Sequence, residues 1–142
     1  MNKVTGCCAF FCLLFSLSFG QNRDEIAVRK LLAAQTKEWN SGNIKGYMAT
    51  YWTSDSLLFI GKSGVTHGWQ QTLDNYEKHY PDTAAMGKLD FELVSVKRLS
   101  PVYFFVIGKW RLLRSMGDLS GAFTLLLRKI NNKWVIVADH SS

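Results

Sequence analysis

The stretch Val102-Tyr103-Phe104-Phe105-Val106-Ile107-Gly108-Lys109-Trp110-Arg111-Leu112-Leu113-Arg114 decides the fold. It is rich in β-branched and aromatic residues and reads as one long strand. Tyr103, Phe105 and Ile107 make one apolar face, while Val102, Phe104 and Val106 make the other. A sheet that is apolar on both faces needs a partner on each side. Working outward, Leu89, Phe91 and Leu93 alternate with Asp90 and Glu92 before it, and Gly121 to Ile130 and Trp134 to His140 follow as further strands. The links Ser100-Pro101, Met116-Gly117-Asp118 and Asn131-Asn132-Lys133 are short and turn-like. Four strands joined this way predict an antiparallel meander.

Upstream the period is helical. Val28, Leu31, Leu32, Gln35 and Trp39 recur on one face between Arg23 and Asn40, with Asp24 and Glu25 near the start and Ser41-Gly42-Asn43 at the end. A shorter helix is expected from about Ile44 to Trp52, and a third from about Trp69 to Tyr80, ended by Pro81. On the third, Trp69, Leu73, Tyr76 and Tyr80 form an almost wholly aromatic stripe. Between the last two helices, Ser56 to Ile60 and Val65 to His67 flank Gly61-Lys62-Ser63-Gly64 as a small hairpin. Three helices followed by a long antiparallel sheet is an α+β arrangement, with the helices covering one face.

Residues 1–20 read as a secretion leader: Lys3 is the sole charge, Cys7 to Phe19 is apolar, and Ser18 and Gly20 stand where cleavage needs small side chains. The apolar run is shorter than the roughly 20 residues that span a bilayer as a helix. Val4-Thr5-Gly6-Cys7 superficially resembles a lipoprotein box, but no apolar stretch precedes it. The expectation is a secreted or periplasmic domain of residues 21–142, with no membrane contact after cleavage. All three cysteines, Cys7, Cys8 and Cys12, would leave with the leader. That domain would have no disulfide, thiol nucleophile or thiolate metal site. The formal net charge is +6, but the basic residues are scattered, and no stripe points to nucleic acid.

Several local patterns, taken in order, resemble the NTF2-like superfamily and within it the SnoaL-like or DUF4440 branch. They are Gln35-x-x-x-Trp39-Asn40-x-Gly42-Asn43, Tyr51-Trp52, Gly68-Trp69, Tyr80-Pro81, Gly108-x-Trp110 and Trp134-Val135-Ile136-Val137-Ala138-Asp139-His140. The resemblance runs from about Glu25 to Ser141. Relatives commonly carry Asp where this chain has Asn43, a residue equally able to cap the helix that follows. What the resemblance implies is a cone: three N-terminal helices packed on a curved, mainly antiparallel β-sheet, with a pocket at the wide end. The superfamily hosts isomerases, dehydratases, cyclases and plain binding domains, so the fold does not fix a reaction.

All five Trp and all five Tyr lie after residue 20. Gln35, Trp39, Tyr47, Tyr51, Trp52, Trp69, Tyr76, Tyr80 and Trp110 are the candidate pocket residues, suited to a small apolar or aromatic molecule because Trp and Tyr join an apolar body to a polar tip. Period-two counting puts His140 on the face of Trp134, Ile136 and Ala138, and Asp139 on the opposite face. Either could move a proton. Arg111 could receive an anionic group, although a solvated charge is the default for a strand arginine. His67 and His79 show no spacing that suggests a metal, and phosphate loops and Ser or Cys nucleophile motifs are absent. No cofactor is expected. Three readings stay open: a binding module, a metal-independent lyase or isomerase of SnoaL or ketosteroid-isomerase type, and a protein-interaction module. A homodimer suits all three.

Overall fold

The computed structural model describes residues 9–142, with side chains from Arg23 onward. The leader reading, on residues 1–20, thus lies outside the described side chains, and residues 1–8 lie outside the described residues altogether. The elements run α1 (Ala9–Asn40), α2 (Ile44–Met48), β1 (Leu58–Gly61), β2 (Gly64–His67), α3 (Trp69–His79), α4 (Thr83–Met86), β3 (Lys88–Ser100), β4 (Tyr103–Leu113), β5 (Leu119–Ile130) and β6 (Lys133–Ser141). The six strands form one sheet in the order β2-β1-β6-β5-β4-β3. Every pairing is antiparallel except β1 with β6, so the expected meander is present. Among the described residues no helix is long and apolar enough to cross a membrane.

Three differences from the sequence expectation have local causes. Helix α1 begins well before Arg23, because no proline interrupts its backbone. Helix α2 stops at Met48 rather than Trp52 because the next backbone groups are taken up by β6. There the Ile136 amide donates to the Thr50 carbonyl at 3.0 Å, and the Trp52 amide to the Ile136 carbonyl at 2.9 Å. The single turn α4 was not foreseen; Asp82 caps it by accepting from the Ala85 amide at 2.8 Å. Asn43 caps α2 as expected, accepting from the Gly46 amide at 2.9 Å.

Helix α1 lies across the concave face. Val28, Leu32, Gln35 and Trp39 are its buried stripe, against Phe104, Val106, Leu125, Leu127 and Ile136 of the sheet core. Its C-terminal end is tied to the start of β3 by side chains that act like backbone. Asn40 donates to the Leu89 carbonyl at 3.0 Å and accepts from the Leu89 amide at 2.6 Å, while the Trp39 indole donates to the Met86 carbonyl at 3.1 Å. The Gly108-x-Trp110 pattern has a packing cause. In register, Gly108 faces Phe123 and Trp110 faces Gly121, so each large ring crosses to a position without a side chain. A Cβ on Gly108 would run into the Phe123 ring.

Candidate functional site: an aromatic cavity with a buried carboxylate

The sheet bends away from α1 and α3 and leaves a cavity of about 770 Å³, within the size range of small-molecule sites. Its walls come from four directions. Gln35 and Trp39 stand on α1, Tyr47 and Tyr51 on α2 and the segment after it, Tyr76 and Tyr80 on α3, and Phe91, Trp110, Phe123 and Leu125 on the sheet. The rings brace one another. Trp39 meets Tyr47, Tyr76 and Tyr80 edge-to-face at centroid distances of 5.0, 5.9 and 4.9 Å, and Phe59 meets Tyr76 at 5.7 Å.

The polar end is built around Asp139, which is 4% exposed. Tyr51 donates to its Oδ2 at 2.6 Å, and Ser141 to its Oδ1 at 3.0 Å. Tyr51 is placed there by its parallel bridge to Ile136. The Tyr47 hydroxyl lies 3.4 Å from those of both Tyr51 and Tyr76. These are long for O–H···O bonds, so the one strong link in the network is Tyr51 to Asp139. Burial pushes the Asp139 carboxyl up to about 6, even though the two hydroxyls and the neighbouring His140 pull it down. Burial and the Asp139 charge raise the phenols of Tyr47 and Tyr51, and burial raises Tyr76.

Asp139 and His140 are reversed relative to the period-two reading. Asp139 faces the cavity; His140 is exposed and lies outside it. The cause is a β-bulge. Leu127 pairs with Ile136 and Leu126 with Ala138, so Val137 is an extra residue that shifts the alternation by one. Seven of the nine aromatic or amide candidates line the cavity: Gln35, Trp39, Tyr47, Tyr51, Tyr76, Tyr80 and Trp110. Trp69 and Trp52 do not. The Trp69 indole instead donates to the Met48 carbonyl at 2.8 Å, fixing α3 to α2. Gln35 is 1% exposed and donates to Thr50 Oγ1 at 3.0 Å. Arg111 is exposed, 3.9 Å from Asp118, and away from the cavity.

Sequence reasoning missed Phe59, Phe91, Phe123 and Ser141. Alternation along β3 and β5 would have put Phe91 and Phe123 on the concave face; Ser141 needed the bulge. The Trp110 indole N–H is buried without a partner, the sort of orphan donor that costs about 1–3 kcal/mol. It lies where a Cβ on Gly121 would come within 2.8 Å. Among the described residues no group of three His, Cys, Asp or Glu side chains is placed to hold a metal.

No family model matches the sequence, and no curated protein does. Solved structures do. An NTF-2-like protein of unknown function from Shewanella oneidensis MR-1 is 40% identical over 85% of this chain and 98% of its own, with a TM-score of 0.79. The chain belongs to the NTF2-like superfamily. A ketosteroid isomerase-like protein from Erwinia carotovora atroseptica SCRI1043 shares the fold at 17% identity, covering 85% of this chain and 96% of its own, with a TM-score of 0.67. An NTF2-like superfamily protein from Salmonella enterica serovar Typhimurium LT2 does so at 16% identity, covering 86% and 92%, with a TM-score of 0.67. This NTF2-like chain has the α+β cone expected of it.

Proposed function

We propose that this NTF2-like domain, of the SnoaL-like or DUF4440 branch, binds a small apolar or aromatic molecule inside the cone. The observation that carries this reading is the ring-walled cavity of about 770 Å³ with one polar end. Such a site gains from burying flat apolar area and orients its ligand by a few polar groups. Titration with a neutral planar aromatic such as naphthalene should quench tryptophan fluorescence saturably. Tyr76→Ala should weaken binding by about 1–3 kcal/mol, the usual range for removing a ring that anchors a contact. Quenching that stays linear with concentration would sink the reading.

A second reading is favoured by Asp139. A carboxylate with its affinity for protons raised by burial, beside phenol donors, has the composition of a general base with groups able to steady a developing oxyanion. On this reading the domain is a cofactor-independent isomerase or lyase, and Asp139, not His140, moves the proton. The same protein should then speed deuterium exchange next to the carbonyl of a bound aromatic ketone, about a hundredfold faster than Asp139→Asn. Equal exchange rates would leave binding alone.

Export is part of the proposal and has its support in the charge and apolar pattern of residues 1–20. Intact mass of protein recovered from its host should correspond to a chain beginning at Gln21. Retention of residues 1–20, or a lipid on Cys7, would contradict it.

A further inference from the structure

Asp139 is a buried carboxylate without a cationic partner. Among the described residues the ion pairs go to Asp24, Glu25, Glu92 and Asp118, and none reaches Asp139. A carboxylate has about four acceptor positions, and Tyr51 and Ser141 occupy two. Around it stand the rings of Phe59, Tyr47 and Tyr76, whose faces carry partial negative charge, with Leu125 beside it on β5.

The groups around it sharpen the point. Tyr47 and Tyr51 face it from the α2 side, Tyr76 from α3 and Ser141 from β6, with Phe59 and Leu125 as its register neighbours on β1 and β5, while His140, next in the chain, turns to the opposite face and acts on it through its charge alone. The cationic or titratable nitrogens nearest the cavity, Lys62 and His79, are exposed at its mouth, where water and salt screen them. An anionic ligand would bring like charge to a dry carboxylate. A hydrocarbon would seal off two acceptors without satisfying them. A cation neutralises the carboxylate and is attracted by the ring faces, and one that carries N–H groups also donates to the two free acceptors.

We infer that the ligand of this cavity is cationic, a protonated or quaternary ammonium carried on an apolar or aromatic body, with its nitrogen at the Asp139 end. This inference builds on the binding reading above and narrows its ligand class. It separates two molecules of nearly the same shape, phenyltrimethylammonium and tert-butylbenzene, which differ in charge.

Both probes are titrated at pH 8 by tryptophan fluorescence. Phenyltrimethylammonium should bind about tenfold or more tightly than tert-butylbenzene. Asp139→Asn should remove that preference, weakening the cation about tenfold while changing the neutral probe by less than about twofold. Lowering the pH from 8 to 5 in the unaltered protein should weaken the cation selectively, which supplies the same comparison if the variant does not fold. Equal or tighter binding of tert-butylbenzene, or an equal response of both probes to Asp139→Asn, overturns the cation inference and leaves the pocket standing. If neither probe binds, the binding reading fails, and this inference fails with it.

Discussion

Asp139→Asn should make the protein more stable at pH 8, by about 2–3 kcal/mol, even though it removes the most polar group of the site. Burial moves the Asp139 carboxyl up to about 6 from an ordinary 3.8, so between those values the folded chain holds a proton that the unfolded chain has released. Stability from this group is full below pH 4, falls as pH rises to about 6, and stays low above that. Asn cannot ionise, keeps an oxygen to accept from Tyr51, and should show no such fall. Asp24 works in the opposite sense and in a different window. Burial raises its carboxyl, but hydrogen bonds from Lys129 and Trp134 and the charges of Lys129 and Arg98 outweigh that and hold it below its ordinary value. Its contribution is therefore lost only as pH drops below about 4. Thermal melts from pH 4 to 8 on the two proteins separate these effects. Parallel curves, or a variant less stable at pH 8, would show that Asp139 carries no buried charge. A gain in stability on removing a functional group is the usual mark of a site kept at the expense of the fold.

Phe105→Glu should turn a dimer into a monomer. The concave face of β4 is spent on the core through Phe104 and Val106, which leaves Tyr103, Phe105 and Ile107 on the outside, with Ile107 38% exposed. In register with them stand Arg128, Leu126 and Thr124 of β5. This outer face answers the two-sided pattern read from Val102 to Arg114, and we propose that it pairs with a second copy of the chain. A stable pairing of this kind buries about 1,200–2,000 Å² in all, and a carboxylate forced into its centre must be stripped of water at a cost of several kcal/mol that one cross-strand lysine, Lys97, does not fully offset. Phe105 lies opposite Lys97 on β3, but outside the core, so the change should leave the monomer folded. Light scattering should give a dimer mass for the unaltered protein and a monomer mass for the variant. A monomer at micromolar concentration before any substitution rules the pairing out.

Most of the fold was readable because its signals are local. The helical spacing of Val28, Leu32, Gln35 and Trp39 and the alternation along β3 and β4 each follow from one element's own contacts. The site was less readable because its residues answer to distant partners. Trp69 belongs to the same aromatic stripe as Tyr76, two turns earlier on α3, yet its indole is taken by the Met48 carbonyl. Helix α2 ends where a strand more than 80 residues later captures Thr50 and Trp52, and nothing near Met48 announces that. The His140 and Asp139 faces failed for the same reason. Alternation presumes an unbroken pleat, and whether a residue is looped out depends on the neighbouring strand.

The extra residue at Val137 also bears on how such a domain changes over time. Acid and imidazole sit side by side at positions 139 and 140, and one unpaired residue before them selects which points inward. A chain that lost Val137 would restore the simple pleat with Asp139 still opposite Leu125 and turned inward, whereas the same residues paired without the bulge would slip by one and turn the histidine to the cavity instead. The proton chemistry of the chamber is thus written in the register of one strand as well as in the identities of its residues. A slip of one residue in this strand is, for this architecture, a functional substitution at two positions.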